Sequence, residues 1–405
     1  MRAKMRLLIA DKLHPRAIEE LRTLPVEVIY EPEITKETLQ NHFAGVGVLI
    51  VRSTQVTAEA IEGAKQLNLI VRAGAEYDTI DVRAASRRGI FVANCPGKNS
   101  SAIAELVYGL MISLDRRIPD AVTSLRNHQW ERRDFSKAEG LWGKTLGIAG
   151  FGAIGRDVAA RARAFGLNPI AWSRSLSPAR AAEAGVGYAS TLEELASRSN
   201  IVTLHLPLTE KTRHIVSRRI LGFLPKGALL INTARADLVE QDALYEAIEK
   251  GLRVAVDVYA DEPKGKSNYQ CTLLNARGVV YGTPHIAAAT DQGQLAVATE
   301  AIRVIRSFLL EGTVPNVINV ANVASGRFQI VMRMLDKIGT FANVLAVLKR
   351  HGINVEEVHN TTFEGSGAAC AKLRVIARPS EACLTEIRAF EEVLHVDVVT
   401  LPIFA

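Results

Sequence analysis

Between positions 6 and 93 the chain alternates short apolar runs with segments of helical spacing. The runs at 6–10, 46–51, 69–73 and 90–93 are rich in Val, Ile and Leu and too short for helices, so they read as strands, with a helix at 57–63. Strands that alternate with helices pair in parallel and are covered on both faces. A second and stronger series begins near Lys144. Its strands fall at 145–149, 168–172, 201–205, 228–232, 253–258 and 278–281, with helices at 154–165, 192–198 and 241–250. Six strands joined by crossovers predict a doubly wound sheet.

Two longer helical patterns, 100–117 and 292–310, flank the second series. If the later one returns the chain to the first lobe, that lobe is discontinuous, made of 1–101 and 287–318, with a Rossmann domain at 102–286 inserted in it. Beyond Ser325-Gly326 the pattern changes to strand 328–335, helix 340–350, strands 354–361 and 369–377, helix 381–391 and strand 396–401. The order βαββαβ predicts a ferredoxin-like α+β domain at 325–405. The expected fold is therefore two Rossmann-like parallel-sheet lobes and a small α+β domain.

Composition narrows the function classes. With 405 residues, 48% hydrophobic and 23% charged, the chain is globular and large enough for two or three cores. Its net charge of +6 is scattered, and the densest clusters are the pairs Arg116-Arg117 and Arg132-Arg133. That argues against nucleic acid and suits small anionic ligands. Cys95, Cys271, Cys370 and Cys383 have neither disulfide-framework nor zinc spacing, so no metal is expected. The apolar stretch near the start is too short for a signal segment or a membrane span, which makes cytoplasm the expectation.

The first candidate site is Gly150-Phe-Gly152-Ala153-Ile154-Gly155, placed between a strand and a helix. Gly150 permits a tight turn, Gly152 a close approach of backbone to a pyrophosphate, and Gly155 the packing of helix on strand. The helix N-terminus then offers N–H groups and partial positive charge to phosphate. The next strand ends at Ser173-Arg174, where an NAD-binder usually carries a carboxylate for the ribose hydroxyls. A hydroxyl and a guanidinium can take a 2′-phosphate instead, so NADP is expected to be tolerated beside NAD.

Three polar residues, Arg235, Glu262 and His285, follow three consecutive strands of the second series. Ligands of open parallel sheets bind at the carboxyl ends of strands, so residues dozens of positions apart can converge there. Arg235 can grip a carboxylate bidentately. His285 can take a hydroxyl proton as hydride leaves the same carbon, and Glu262 would orient the ring and stabilise its charge. Each alone could be a surface charge, a turn residue or a loop histidine. Beside a dinucleotide loop the three together read as a dehydrogenase site.

At these motifs the chain resembles the D-isomer-specific 2-hydroxyacid dehydrogenases. Besides the glycine loop it carries His205-Leu-Pro-Leu208 with Thr212, Asn232-Thr-Ala-Arg235, Asp257-Val-Tyr-Ala-Asp-Glu-Pro263 and Pro284-His-Ile-Ala-Ala-Ala-Thr290. The resemblance covers nearly residues 1–320. It implies that Arg235, Glu262 and His285 are catalytic, and that Ala153 and Ile154 meet the pyrophosphate. It further implies that Pro207 meets the adenosine side, Ala234 and Arg235 the nicotinamide ribose, and Asp257 the carboxamide.

Within the family the chain is most similar to the branch acting on 3-phosphoglycerate. The resemblance implies that Arg52 and Arg132 hold a phosphate, that Ser53 and Asn99 frame the substrate, and that the Gly74, Ala75 and Glu76 backbone meets its carboxylate. Two departures stand out: Glu76 replaces the family's usual glycine, and Ser173 its acidic ribose ligand. Glyoxylate or hydroxypyruvate reduction is the rival activity, and a nicotinamide-sensing corepressor-type binding protein the rival class. The last domain resembles an ACT module, which implies an amino-acid effector at Asn354 or a purely structural oligomerisation role. Met334 and Asp336 depart from the residues common in such modules. A homodimer or homotetramer is expected.

Overall fold

The computed structural model describes residues 4–263, 268–321, 326–365 and 367–401. They form two compact units, Met1–Asn319 and Val320–Ala405.

The first unit opens with a five-stranded parallel sheet of β1 (Met5–Ile9), β2 (Val26–Tyr30), β3 (Val46–Val51), β4 (Leu69–Arg72) and β5 (Phe91–Ala93), in the order β2-β1-β3-β4-β5. Every residue of β3 is buried, as a parallel strand covered on both faces requires. The edge strand β2 and the preceding helix Pro15–Leu21 escape the sequence reading, because β2 is half exposed and Pro15 at the start of a seven-residue helix leaves little periodic signal. Leu7, Ile9, Val48, Ile50 and Leu69 face one core. The helix Asp291–Glu311 supplies Ala298, Ala301, Ile302, Val304 and Ile305 to that core, 21 residues long and closed by Gly312 at φ 69°. Asn319 then accepts from the Val92 N–H at 2.9 Å and donates to the Ile90 carbonyl at 2.8 Å, fastening the returning chain to β5.

The second sheet comprises β6 (Thr145–Ala149), β7 (Asn168–Trp172), β8 (Gly187–Tyr188), β9 (Ile201–Leu204), β10 (Leu229–Asn232), β11 (Arg253–Val256) and β12 (Val280–Gly282). The order is β12-β11-β10-β9-β6-β7-β8, so the sheet has seven strands rather than the six expected. The addition, β8, holds two residues and is too short for any periodicity. The order of strand addition reverses between the parallel neighbours β6 and β9, the place where such sheets open a crevice. Helix Ser100–Arg116 lies on one face and buries Ala104, Val107, Met111 and Leu114 against Leu146, Ile148 and Ile231. Arg117, expected inside that helix, ends it in the left-handed conformation at φ 52°. Two short helices, Ile118–Arg126 and Arg132–Phe135, follow.

The second unit is an antiparallel sheet of β13 (Phe328–Leu335), β14 (Val355–Thr362), β15 (Ala368–Val375) and β16 (Val393–Thr400), ordered β14-β15-β13-β16. Helices Thr340–Arg350 and Glu381–Arg388 cover one face through Val344, Val347, Leu348, Cys383 and Ile387. This is the ferredoxin-like arrangement the element order requires. Among the described residues no helix is long and apolar enough to cross a membrane.

Candidate active site

The glycine loop behaves as its chemistry demands. Gly150 stands at φ 100°, and a Cβ there would overlap the His205 carbonyl; a Cβ on Gly155 would overlap the Gly150 carbonyl. A Cβ on Gly152 would meet nothing within 4 Å, so the backbone is bare where a pyrophosphate would approach. Helix Ala153–Ala162 starts at Gly152 with no side chain capping it, which leaves its first N–H groups free for an anion. The residues present fit a dinucleotide.

Beside that loop lies a cleft of about 790 Å³. It is lined by Arg52 and Ser53 after β3, by Arg72, Gly74, Ala75 and Glu76 at and after β4, and by Asn99 before the first long helix. The second sheet contributes Ile154, Pro207, Ala234, Arg235, Asp257, Glu262 and His285. Residues far apart in the chain thus share one cavity, because all follow the carboxyl ends of parallel strands. Thr212 stays outside but donates to the Pro207 carbonyl at 2.6 Å and so fixes that turn. Ser173, half-buried, and Arg174, exposed, follow β7 outside the cavity. Arg132 starts an exposed short helix and is not among the cleft residues.

The catalytic candidates are held firmly. His285 Nδ1 lies 2.7 Å from Glu262 Oε2, while Glu262 Oε1 accepts from the Tyr259 N–H at 3.0 Å. With Nδ1 engaged, Nε2 is the nitrogen left for a ligand. Arg235 is positioned by Asn232, whose side chain donates to the Arg235 carbonyl at 2.8 Å and accepts from the Ala234 N–H at 3.0 Å. Burial, with Arg72 adding to it and Glu262 opposing, holds the Arg235 guanidinium below its ordinary pKa. Its Nη2 is paired with Glu76 Oε2 and lies 3.5 Å from Asp78 Oδ2.

Asp257 has a role the sequence did not suggest. Its carboxylate accepts from the Thr283 hydroxyl and from the N–H groups of Ile286 and Ala287, so both oxygens are occupied by its own chain. Three further residues of the site had no role of their own in the sequence reading, although Arg72 and His205 stand in motifs of the family resemblance. Asp11 accepts from the N–H groups of Arg52, Ser53 and Thr54 at 2.6–3.0 Å and ties down the Arg52 loop. Arg72 lines the cleft with Nε unpartnered, its pKa lowered chiefly by burial and opposed by Asp78. His205 is pushed down to about 3 by burial and is therefore neutral, with Nδ1 unpartnered and Nε2 3.0 Å from Thr203 Oγ1. For Asp11 the signal in the sequence is its place after a strand end.

The family described as D-isomer specific 2-hydroxyacid dehydrogenase, NAD binding domain, matches residues 108–287. A D-3-phosphoglycerate dehydrogenase of Methanocaldococcus jannaschii is 38% identical over 88% of this chain and 67% of its own length. A hydroxypyruvate reductase of Thermotoga maritima is 38% identical over 75% of this chain and 98% of its own. The NAD+-bound 3-phosphoglycerate dehydrogenase of Entamoeba histolytica is similar in structure, with a TM-score of 0.65 at 27% identity over 78% of this chain and 99% of that one. The chain spans about two thirds of the length of the phosphoglycerate dehydrogenases it matches. Glycine loop, cleft and sequence agree: the chain belongs to the D-isomer-specific 2-hydroxyacid dehydrogenase family.

Proposed function

We propose that this protein is an NAD(P)-dependent dehydrogenase that interconverts 3-phospho-D-glycerate and 3-phosphooxypyruvate. The observation that carries this reading is the meeting of Arg235, the His285–Glu262 pair and the cations Arg52 and Arg72 in one cleft beside the glycine loop. Gly150, Gly152, Ala153, Ile154 and Gly155 would hold the dinucleotide, with Pro207 and Ala234 along it. When bound, the nicotinamide supplies or accepts the hydride. Arg235 grips the substrate carboxylate and polarises the adjoining carbonyl. His285 Nε2 removes the C2 hydroxyl proton in oxidation and returns it in reduction, while Glu262 stabilises the imidazolium in between. Arg52 and Arg72 take the second anionic group. Ser173 and Arg174 support use of NADP beside NAD.

Reduction of hydroxypyruvate or glyoxylate is the second reading, favoured by Arg132 lying off the cleft and by Glu76 within it. For the remaining organisation, we assign 1–101 with 287–318 to substrate binding, 102–286 to the cofactor and 325–405 to an ACT-like domain, with Asn354, exposed just before β14, as its effector contact. Exposed Ile118, Val122, Leu125, Trp130 and Trp142 support a homodimer or homotetramer. The test is a turnover screen of phosphohydroxypyruvate, hydroxypyruvate, glyoxylate and 2-ketoglutarate with NADH and NADPH. Preference for the phosphorylated acid supports the first reading, preference for hydroxypyruvate or glyoxylate the second. Cofactor binding without turnover of any acid would place the chain with corepressor-type binding proteins.

A further inference from the structure

The guanidinium that should receive a substrate carboxylate already holds one. Arg235 Nη2 is paired with Glu76, and Arg235 Nη1 donates to the Ala234 carbonyl at 2.7 Å. Glu76 therefore occupies one of the two terminal nitrogens with which Arg235 would grip a carboxylate bidentately. We propose that Glu76 is a built-in competitor for the carboxylate site of Arg235, displaced by side-chain rotation each time a 2-hydroxy or 2-keto acid binds.

The surrounding geometry assigns the movement to the side chain rather than the loop. Gly74 accepts from the Cys95 N–H at 2.8 Å, and Ala75 accepts from the side-chain amide of buried Asn94 at 2.5 Å. These two hydrogen bonds fasten the backbone immediately before Glu76. The Glu76 side chain, by contrast, is 40% exposed beside an open cleft of about 790 Å³. Its several torsions let it leave Arg235 for water at little cost.

The exchange replaces one carboxylate–arginine contact by another, so a small acid gains from Arg235 only the difference between the two. Glu76 thereby lowers affinity for every carboxylate ligand. A glycine or an uncharged side chain at this position would leave Arg235 Nη2 facing only the more distant Asp78 carboxylate, at 3.5 Å. If Glu76 instead served to orient Arg235, its removal would weaken binding, and the sign of the effect separates the two roles.

This inference rests on Arg235 as the carboxylate grip proposed above. The test is calorimetric titration of the NAD+-loaded full chain with oxalate, a planar anion that undergoes no turnover, on wild type, Glu76→Gln, Glu76→Gly and Arg235→Ala. Both Glu76 variants are expected to bind oxalate about tenfold tighter, equivalent to about 1.4 kcal/mol. KM for whichever keto acid the enzyme reduces should fall by a similar factor. Unchanged or weaker oxalate binding in both Glu76 variants overturns the competition and leaves the grip standing. Wild-type oxalate affinity in Arg235→Ala overturns the grip itself, and the competition with it.

Discussion

The buried carboxylate of Asp257 holds the turn on which His285 stands. Asp257 Oδ2 accepts from the Ala287 N–H and Oδ1 from the Ile286 N–H, both at 2.8 Å, immediately after the catalytic candidate. His285 itself sits at φ 52°, a left-handed conformation that costs a non-glycine residue about 1–2 kcal/mol and persists only where its surroundings enforce it. Replacing Asp257 by Asn leaves the shape but turns an acceptor oxygen into a donor facing N–H groups. The expected result is a stability loss of about 1–3 kcal/mol together with a fall in kcat, as the imidazole loses its fixed direction. Thermal unfolding and steady-state rates measured together check this; an unchanged kcat would mean the turn holds without the carboxylate.

His285→Ala should lower turnover by about 10²–10⁴-fold with cofactor affinity retained, because the proton transfer disappears while the glycine loop is untouched. Fluorescence titration with NADH separates the two effects. A variant that turns over as fast as wild type would remove His285 from the chemistry.

Arg52→Ala should cost a phosphorylated substrate about 1.5–3 kcal/mol of binding and leave hydroxypyruvate nearly unaffected. Arg72→Ala, which removes the other cation of this side of the cleft, should discriminate in the same direction. Equal losses for both acids would assign these cations to something other than a phosphate.

Ser173 leaves the end of β7 without a carboxylate, and NADPH is expected to be used at least as efficiently as NADH. Ser173→Asp should move the preference toward NADH, since the new carboxylate accepts the ribose hydroxyls and repels a 2′-phosphate. The measurement is kcat/KM for each cofactor at one keto acid concentration. A tenfold wild-type preference for NADH, about 1.4 kcal/mol, contradicts the expectation.

Glu300, buried on helix Asp291–Glu311, is bound by Arg303, by Asn316 at 2.7 Å and by Lys98 at 3.4 Å. The Arg303 hydrogen bonds chiefly, then Asn316, lower its pKa from 4.5 to about 2 against the effect of burial. A lowered carboxylate pKa stabilises the fold above the unfolded value and loses that contribution as pH falls through the folded one. Glu300→Gln should therefore cost about 2–3 kcal/mol at neutral pH, with the gap from wild type closing between about pH 4.5 and 2. Denaturant unfolding across that range is the check, and a pH-independent gap would count against the ion pairs.

The elements and the glycine loop were legible in the sequence because both are local. Strand periodicity and helix length follow from neighbouring residues, and Gly150 and Gly155 declare a backbone path that a Cβ would block, with Gly152 bare between them. The grouping of Arg235, Glu262 and His285 was also legible, since parallel strands carry whatever follows them to one edge. The two-residue strand β8 lacked the length to leave a pattern, and the half-exposed edge strand β2 the burial. Only the tertiary structure decided which charges meet. Glu76 follows β4 of one sheet and Arg235 β10 of the other, and nothing in their local sequence pairs them. The same holds for Asp257 turning inward to the His285 loop, for Asp11 binding the Arg52 loop and for Arg132 standing off the cleft. Such contacts depend on how loops from separate strands converge, and that is set by packing across the whole unit rather than by any local period.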